Sequence, residues 1–132
     1  MELKEALLKR RSVRKFTEEA VSEEMIQELL HAAMSGPSAC NKKPWEFYVV
    51  TNPEKLEELK GASKFTKMNS KLAIVVCGNL SRALPMHFAN YWIQDCSAAT
   101  ENILLEGYTT NLENDICQRW VRMKNYGEYQ II

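Results

Sequence analysis

The stretch from about Ala89 to Glu106 places the tightest constraint on the fold. Trp92, Cys96, Ala99 and Ile103 recur at helical spacing, and Ile93, Leu104 and Leu105 widen that stripe. A helix apolar over so much of its surface must lie at the centre of a core or in a subunit interface. The chain has 132 residues, one domain's worth, and can bury a real but not generous core. The long helix is therefore expected to organise the rest.

The elements around it are legible from pattern. Glu2 to Arg10 is expected to form a short helix, with Leu3, Leu7 and Leu8 on one side and Lys4, Glu5 and Lys9 in water. Ser22 is a good N-cap for a second helix, whose stripe is Ile26, Leu29, Leu30 and Ala33. Ser35-Gly36-Pro37-Ser38 stops it. Trp45 to Val50 alternates as a strand, with Trp45, Phe47 and Val49 on one face. Asn52-Pro53 opens a third helix, with Leu56 and Leu59 inward and Gly61 closing it. Leu72 to Cys77 is continuously apolar, as a strand covered on both faces would be. Leu112, Ile116 and Trp120 predict a helix from about Leu112 to Lys124, and Tyr129 to Ile132 a short terminal strand. This order predicts a single α+β domain over residues 1–132.

Charge and cysteine usage narrow the function classes. Lys plus Arg and Asp plus Glu each number 17, so the net charge is zero. Neither nucleic acid nor an anionic membrane is expected as the main partner, and any functional positive charge must be local. No apolar run is long enough to cross a bilayer, and Met1-Glu2-Leu3-Lys4-Glu5 lacks the apolar segment of a secretory signal, so a cytoplasmic protein is expected. Cys40, Cys77, Cys96 and Cys117 are widely spaced, which predicts reduced, mostly buried thiols and no metal site.

Two segments carry candidate chemistry. Arg10, Arg11 and Arg14 flank Ser12 within five residues. Guanidinium forks and a hydroxyl suit a phosphate, although the same run could be a solvated basic face paired with Glu5, Glu18 or Glu19. Gly36 to Trp45 lies between a helix end and a strand start. Ser38 and Asn41 offer donors and acceptors there, and turn amides can face an anion or a ring carbonyl, although an ordinary connecting turn would read similarly. His31, His87 and Asp95 are available acid–base types expected to be structural or on the surface.

Taken together, Arg10-Arg11-Ser12-Val13-Arg14-Lys15-Phe16 and Pro37-Ser38-Ala39-Cys40-Asn41-Lys42-Lys43-Pro44-Trp45-Glu46-Phe47 resemble the nitroreductase family. That family shows an R-R-S-x-R-x-F turn followed by P-S-x-x-N-x-Q-P-W-x-F. Tyr91 to Leu105 is similar to its long central helix, and the resemblance covers residues 1 to about 106. It implies a mixed sheet flanked by helices in a homodimer with FMN at the subunit interface. Arg10, Ser12 and Arg14 would hold the phosphate and ribityl end, with Arg11 close by, while Pro37, Ser38, Ala39 and Asn41 would approach the flavin from the other subunit. NAD(P)H would be the electron donor and a nitroaromatic, quinone or similar small molecule the acceptor. The cofactor supplies the chemistry, so no catalytic side chain is expected.

Two departures accompany the resemblance. Lys43 stands where the family usually has Gln, and a cation there could stabilise reduced flavin. Residues 107–132 do not align with the family's G-L-G-x-x-W-type continuation and form a divergent, short C-terminal segment. That segment reflects either a natural short variant or an altered C-terminus, and it raises an alternative: a non-catalytic dimeric protein of the same fold that binds flavin weakly or serves as an interaction module.

Overall fold

The computed structural model describes residues 3–61, 68–85 and 90–110, together with the backbone of residues 119–123 and 127–131. Its elements run α1 (Leu3–Lys9), α2 (Glu23–Met34), a 3-10 turn (Ala39–Asn41), β1 (Trp45–Val50), α3 (Pro53–Gly61), β2 (Ala73–Gly78), α4 (Tyr91–Thr109), β3 (Arg119–Met123) and β4 (Gly127–Ile131). Helices cover a small sheet, which is the expected α+β class.

The long helix is central, as its apolar stripe requires. Nineteen residues make α4 about 28 Å long. Cys96, Ala99, Ile103 and Leu104 on it are buried. They join Leu29 and Ala33 of α2, Trp45 of β1, and Ile74 and Val76 of β2 in one core. The α2–α4 contact is close: a Cβ on Gly36 would lie 3.3 Å from the Ala99 backbone nitrogen. Asn102 Nδ2 donates to the Ala32 carbonyl across the same seam at 3.0 Å. At the sheet end of the helix, the Trp92 ring packs against Gly78, where a Cβ would come within 2.2 Å of the ring. Only glycine admits that approach.

Local signals start the helices where the sequence places them. Ser22 Oγ accepts from the Met25 N–H at 3.3 Å, and Asn52 Oδ1 accepts from the Glu54 and Lys55 N–H groups at 2.9 and 3.2 Å. Each satisfies donors that a helix start otherwise leaves open. Ser22→Ala is expected to lower stability by about 1 kcal/mol, read as a lower urea midpoint at unchanged slope.

The sheet has strand order β1-β2-β4-β3. β1 pairs with β2 from Trp45↔Gly78 to Val50↔Ala73, β2 with β4 at Val75↔Ile131 and Val76↔Gln130, and β3 with β4 from Arg119↔Ile131 to Met123↔Gly127. All these pairings are antiparallel, whereas a mixed sheet was expected. β2 has neighbours on both edges, consistent with its unbroken apolar run.

Three expectations need correction. The helix expected from about Leu112 to Lys124 is instead strand over Arg119–Met123; residues 111–118 and 124–126 lie outside the described residues. Pairing with β4 overrides a helical period that rested mainly on Leu112 and Ile116. On α1 the buried residue is Ala6, while Leu3, Leu7 and Leu8 are each more than half exposed. α1 presents its small residue to α4 and its leucines outward. The thiols are not mostly buried: Cys40 is exposed, Cys77 half-buried and Cys96 buried, all three reduced, and Cys117 lies outside the described residues.

Candidate functional site

Both candidate segments are anchored to α4. The basic turn leaves α1 with the Arg10 N–H still donating to the Ala6 carbonyl at 3.0 Å. Half-buried Arg10 then pairs through Nε with Glu101 of α4 at 3.4 Å. Arg11 Nη1 donates to the Leu8 and Arg10 carbonyls at 3.1 and 2.8 Å, which folds that guanidinium back over the end of α1. Ser12 and Arg14 are exposed and make no hydrogen bond or ion pair among the described residues. Two residues further on, the Phe16 backbone is clasped by Asn69, whose Oδ1 accepts from the N–H at 3.1 Å and whose Nδ2 donates to the carbonyl at 2.9 Å.

Two of the three acids suggested as neutralising partners are engaged elsewhere, and Glu19 makes no ion pair with the basic turn among the described residues. Glu5 binds Lys9 at 2.6 Å and Glu18 binds Lys71 at 2.7 Å. These lysines hold the Glu5 and Glu18 carboxyls below the usual carboxylate range, first through hydrogen bonds and then through their charge. Ser12 and Arg14 thus remain available to an anion.

The second segment is a tight, internally braced loop. Ser38 accepts twice, through its carbonyl from the Asn41 N–H and through Oγ from the Lys43 N–H, both at 3.0 Å. The Lys42 N–H donates to the Ala39 carbonyl at 3.1 Å. Cys40, Asn41 and Lys43 sit at φ 51°, 54° and 46°. Such values cost a residue with a side chain roughly 1–2 kcal/mol, least for Asn. Non-glycine strain of this density is characteristic of ligand-contacting turns held by their surroundings. Lys42 at φ −74° is followed by Lys43 at φ 46°, and the N–H groups of both are donated within the loop, while Pro44 has none.

The loop is held from outside by a residue that sequence reasoning set aside. Asp95 of α4 is only 6% exposed, and its Oδ1 accepts from the Ala39 N–H at 2.9 Å. The available signal was its position: Asp95 lies three residues after Trp92 and four before Ala99, inside the apolar stripe. A carboxylate there requires a donor. His31 is exposed, and His87 lies outside the described residues.

Asp95 and Glu101 are six positions apart on α4, which puts the two anchors about 9 Å apart along its axis. Pro37, Ser38, Ala39, Asn41 and Lys43 are all partly or fully exposed, as are Arg11, Ser12 and Arg14. Donor chemistry suits a phosphorylated cofactor, with guanidinium groups and a hydroxyl on the basic turn and the exposed Asn41 and Lys43 side chains on the loop. Two surface depressions, of about 510 and 340 Å³, lie along α3 and around Asn69. Neither is lined by any of these residues.

Burial pushes the Cys96 thiol up to about 12 and the Cys77 thiol up to about 11. Cys40, exposed in the loop, is therefore expected to react first with iodoacetamide among the described cysteines. Peptide mapping at pH 8 checks this, and the fast-labelling fraction should vanish in Cys40→Ser.

Comparisons with known proteins identify the family. The model of the nitroreductase family matches residues 7–73, which hold both segments, β1 and the start of β2. A curated protein of Methanothermobacter thermautotrophicus, named "Putative NADH dehydrogenase/NAD(P)H nitroreductase", is 41% identical over 115 residues, 85% of this chain and 58% of its own length. One of the same name from Archaeoglobus fulgidus is 46% identical over 98 residues, 73% of this chain and 55% of its own. Among solved structures, an FMN-dependent nitroreductase from Clostridium difficile R20291 superposes with a TM-score of 0.69 at 32% identity, covering 92% of this chain and 66% of that one. The chain belongs to the nitroreductase family. It spans a little over half the length of those curated relatives.

Proposed function

We propose that the protein is an FMN-dependent oxidoreductase that takes hydride from NAD(P)H and reduces a nitroaromatic, a quinone or a similar electron-poor acceptor. The observation that carries this reading is the mounting of the basic turn and the strained loop on one helix, through Arg10–Glu101 and Ala39–Asp95. The FMN dependence named for the C. difficile relative supports it.

When bound, FMN supplies hydride acceptance from the donor and electron delivery to the acceptor. The chain's residues bind and orient it. Arg10, Ser12 and Arg14 hold the phosphate and ribityl end, with Arg11 beside them. Glu101 fixes the direction of the Arg10 side chain while leaving its terminal nitrogens for an anion. Pro37, Ser38, Ala39 and Asn41 present backbone and small side chains to the flavin held by the other subunit's basic turn, and Lys43 brings a cation that favours its reduced, anionic form. No side chain is assigned proton transfer.

The exposed apolar residues fit a homodimer with the site at its interface. Leu3, Leu7 and Leu8 on α1, Met34 at the end of α2 and Tyr91 at the start of α4 are all exposed in the single chain. A second copy covering them would supply burial that a chain of this size needs. The reading includes one domain over residues 1–132 with a divergent segment at 107–132, and a cytoplasmic location. No helix among the described residues is long and apolar enough to cross a membrane.

Purified protein should be yellow, or turn yellow with added FMN. NADH or NADPH should bleach it without oxygen, and a quinone should restore the colour. Colourless protein that takes up no FMN overturns the proposal. A second reading is a flavin-binding protein without turnover, prompted by residues 107–132, whose sequence diverges from the family pattern. Bound FMN that neither nicotinamide reduces would select it.

A further inference from the structure

We propose that Asp95 is a positioning residue for the flavin: its carboxylate, carried on α4, fixes Ala39 and thereby sets the shape of the loop from Pro37 to Lys43. This rests on the flavin reading above. The geometry is specific. Asp95 lies inside the apolar face of the helix, beside Cys96 and one turn before Ala99, where an acid gains nothing from packing. Among the described residues, the Ala39 N–H is its hydrogen-bond donor, at 2.9 Å. The loop's other hydrogen bonds, Asn41 and Lys43 to Ser38 and Lys42 to Ala39, are internal. They close the loop on itself but do not place it on the fold. Ala39 is the residue through which this braced unit is bolted to the helix, and its neighbours Cys40 and Asn41 are at positive φ. Without the bolt, those backbone conformations lose an external restraint, and the side chains the loop presents lose their fixed placement.

The bond can be cut from either side. Asp95→Ala removes the acceptor. Ala39→Pro removes the donor, and the backbone suits proline, being the first position of a 3-10 turn after an extended Ser38 at φ −140°, ψ 148°; the ring's Cδ takes the place of the N–H hydrogen, so the Asp95 carboxylate must turn away. Asp95→Asn retains the Oδ1 acceptor. FMN affinity is read by flavin-fluorescence titration, and loop order by amide hydrogen exchange of Asn41 to Lys43 in flavin-free protein.

We expect Asp95→Ala and Ala39→Pro each to weaken FMN binding at least tenfold, and the double variant to be no weaker than the poorer single, because both cut one bond. Asp95→Asn should stay within a few-fold of the parent. Loop amides should exchange faster in Asp95→Ala and at the parental rate in Asp95→Asn. Parental FMN affinity in Asp95→Ala overturns the proposal. So do additive effects in the cycle, unchanged loop exchange, or an Asp95→Asn defect as deep as that of Asp95→Ala. If Asp95→Ala does not fold, Ala39→Pro and Asp95→Asn decide by the same criteria. A parent protein that binds no FMN defeats the flavin reading itself. The exchange arm still reports whether Asp95 sets the loop, so the two failures are distinguishable.

Discussion

Replacing Arg10 and Arg14 together by alanine should weaken FMN binding by roughly a hundredfold or more, since each charge-assisted hydrogen bond to phosphate contributes about 1.5–3 kcal/mol. The fold should hardly notice. Arg14 is exposed and unengaged among the described residues, and the Arg10–Glu101 pair is a partly exposed contact at 3.4 Å, worth about 1 kcal/mol at most. Riboflavin, which lacks the phosphate, should bind parent and variant alike. Fluorescence titration with the two flavins, beside a urea melt of each protein, makes the measurement. Equal FMN affinity in parent and variant, or parallel losses for FMN and riboflavin, would remove the phosphate assignment from the basic turn.

The second large effect lies in the core. Ile103 is wholly buried on α4, in the cluster that includes Leu29, Ala33, Ile74 and Val76. Ile103→Ala deletes atoms from the junction of α2, α4 and the sheet and should cost about 2–5 kcal/mol, the spread reflecting how far neighbours relax into the gap. The urea midpoint should fall with the slope unchanged. A loss below about 1 kcal/mol would mean that the junction is less tightly packed than its burial indicates. Because α4 also carries Asp95 and Glu101, the surviving folded fraction of this variant is a sensitive place to look for loosened flavin binding.

Much of the architecture was legible because its signals were local and mutually consistent. Ser22 and Asn52 announce helix starts through side chains that accept from amides two or three residues on. Trp45 to Val50 forms the expected strand, although Val49, expected on the face of Trp45, is exposed, and the apolar run at Leu72 to Cys77 sits where a central strand must. Signals failed where the deciding partner is remote. The outward leucines of α1 cannot be told from inward ones by period alone, because both faces of a seven-residue helix fit the pattern. Arg119 to Met123 is fixed as strand by β4.

The candidate site shows the same division. Arg10, Ser12, Arg14 and the loop from Pro37 to Lys43 stood out by residue type and spacing. What holds them did not, since Glu101 and Asp95 lie more than fifty positions away from the segments they restrain. A lone acid inside an apolar stripe was the visible trace of that arrangement.

The strand order has a consequence for biosynthesis. β4 sits between β2 and β3, so residues 127–131 complete an edge that β2 has presented since residue 78 was made. While the ribosome adds the intervening residues, β1 and β2 can pair as a hairpin and α4 can settle on them, but the nascent sheet keeps one apolar strand open to any passing partner. Intermolecular strand pairing during synthesis is therefore the natural hazard of this topology, and this edge of β2 closes only when β4 reaches back to it.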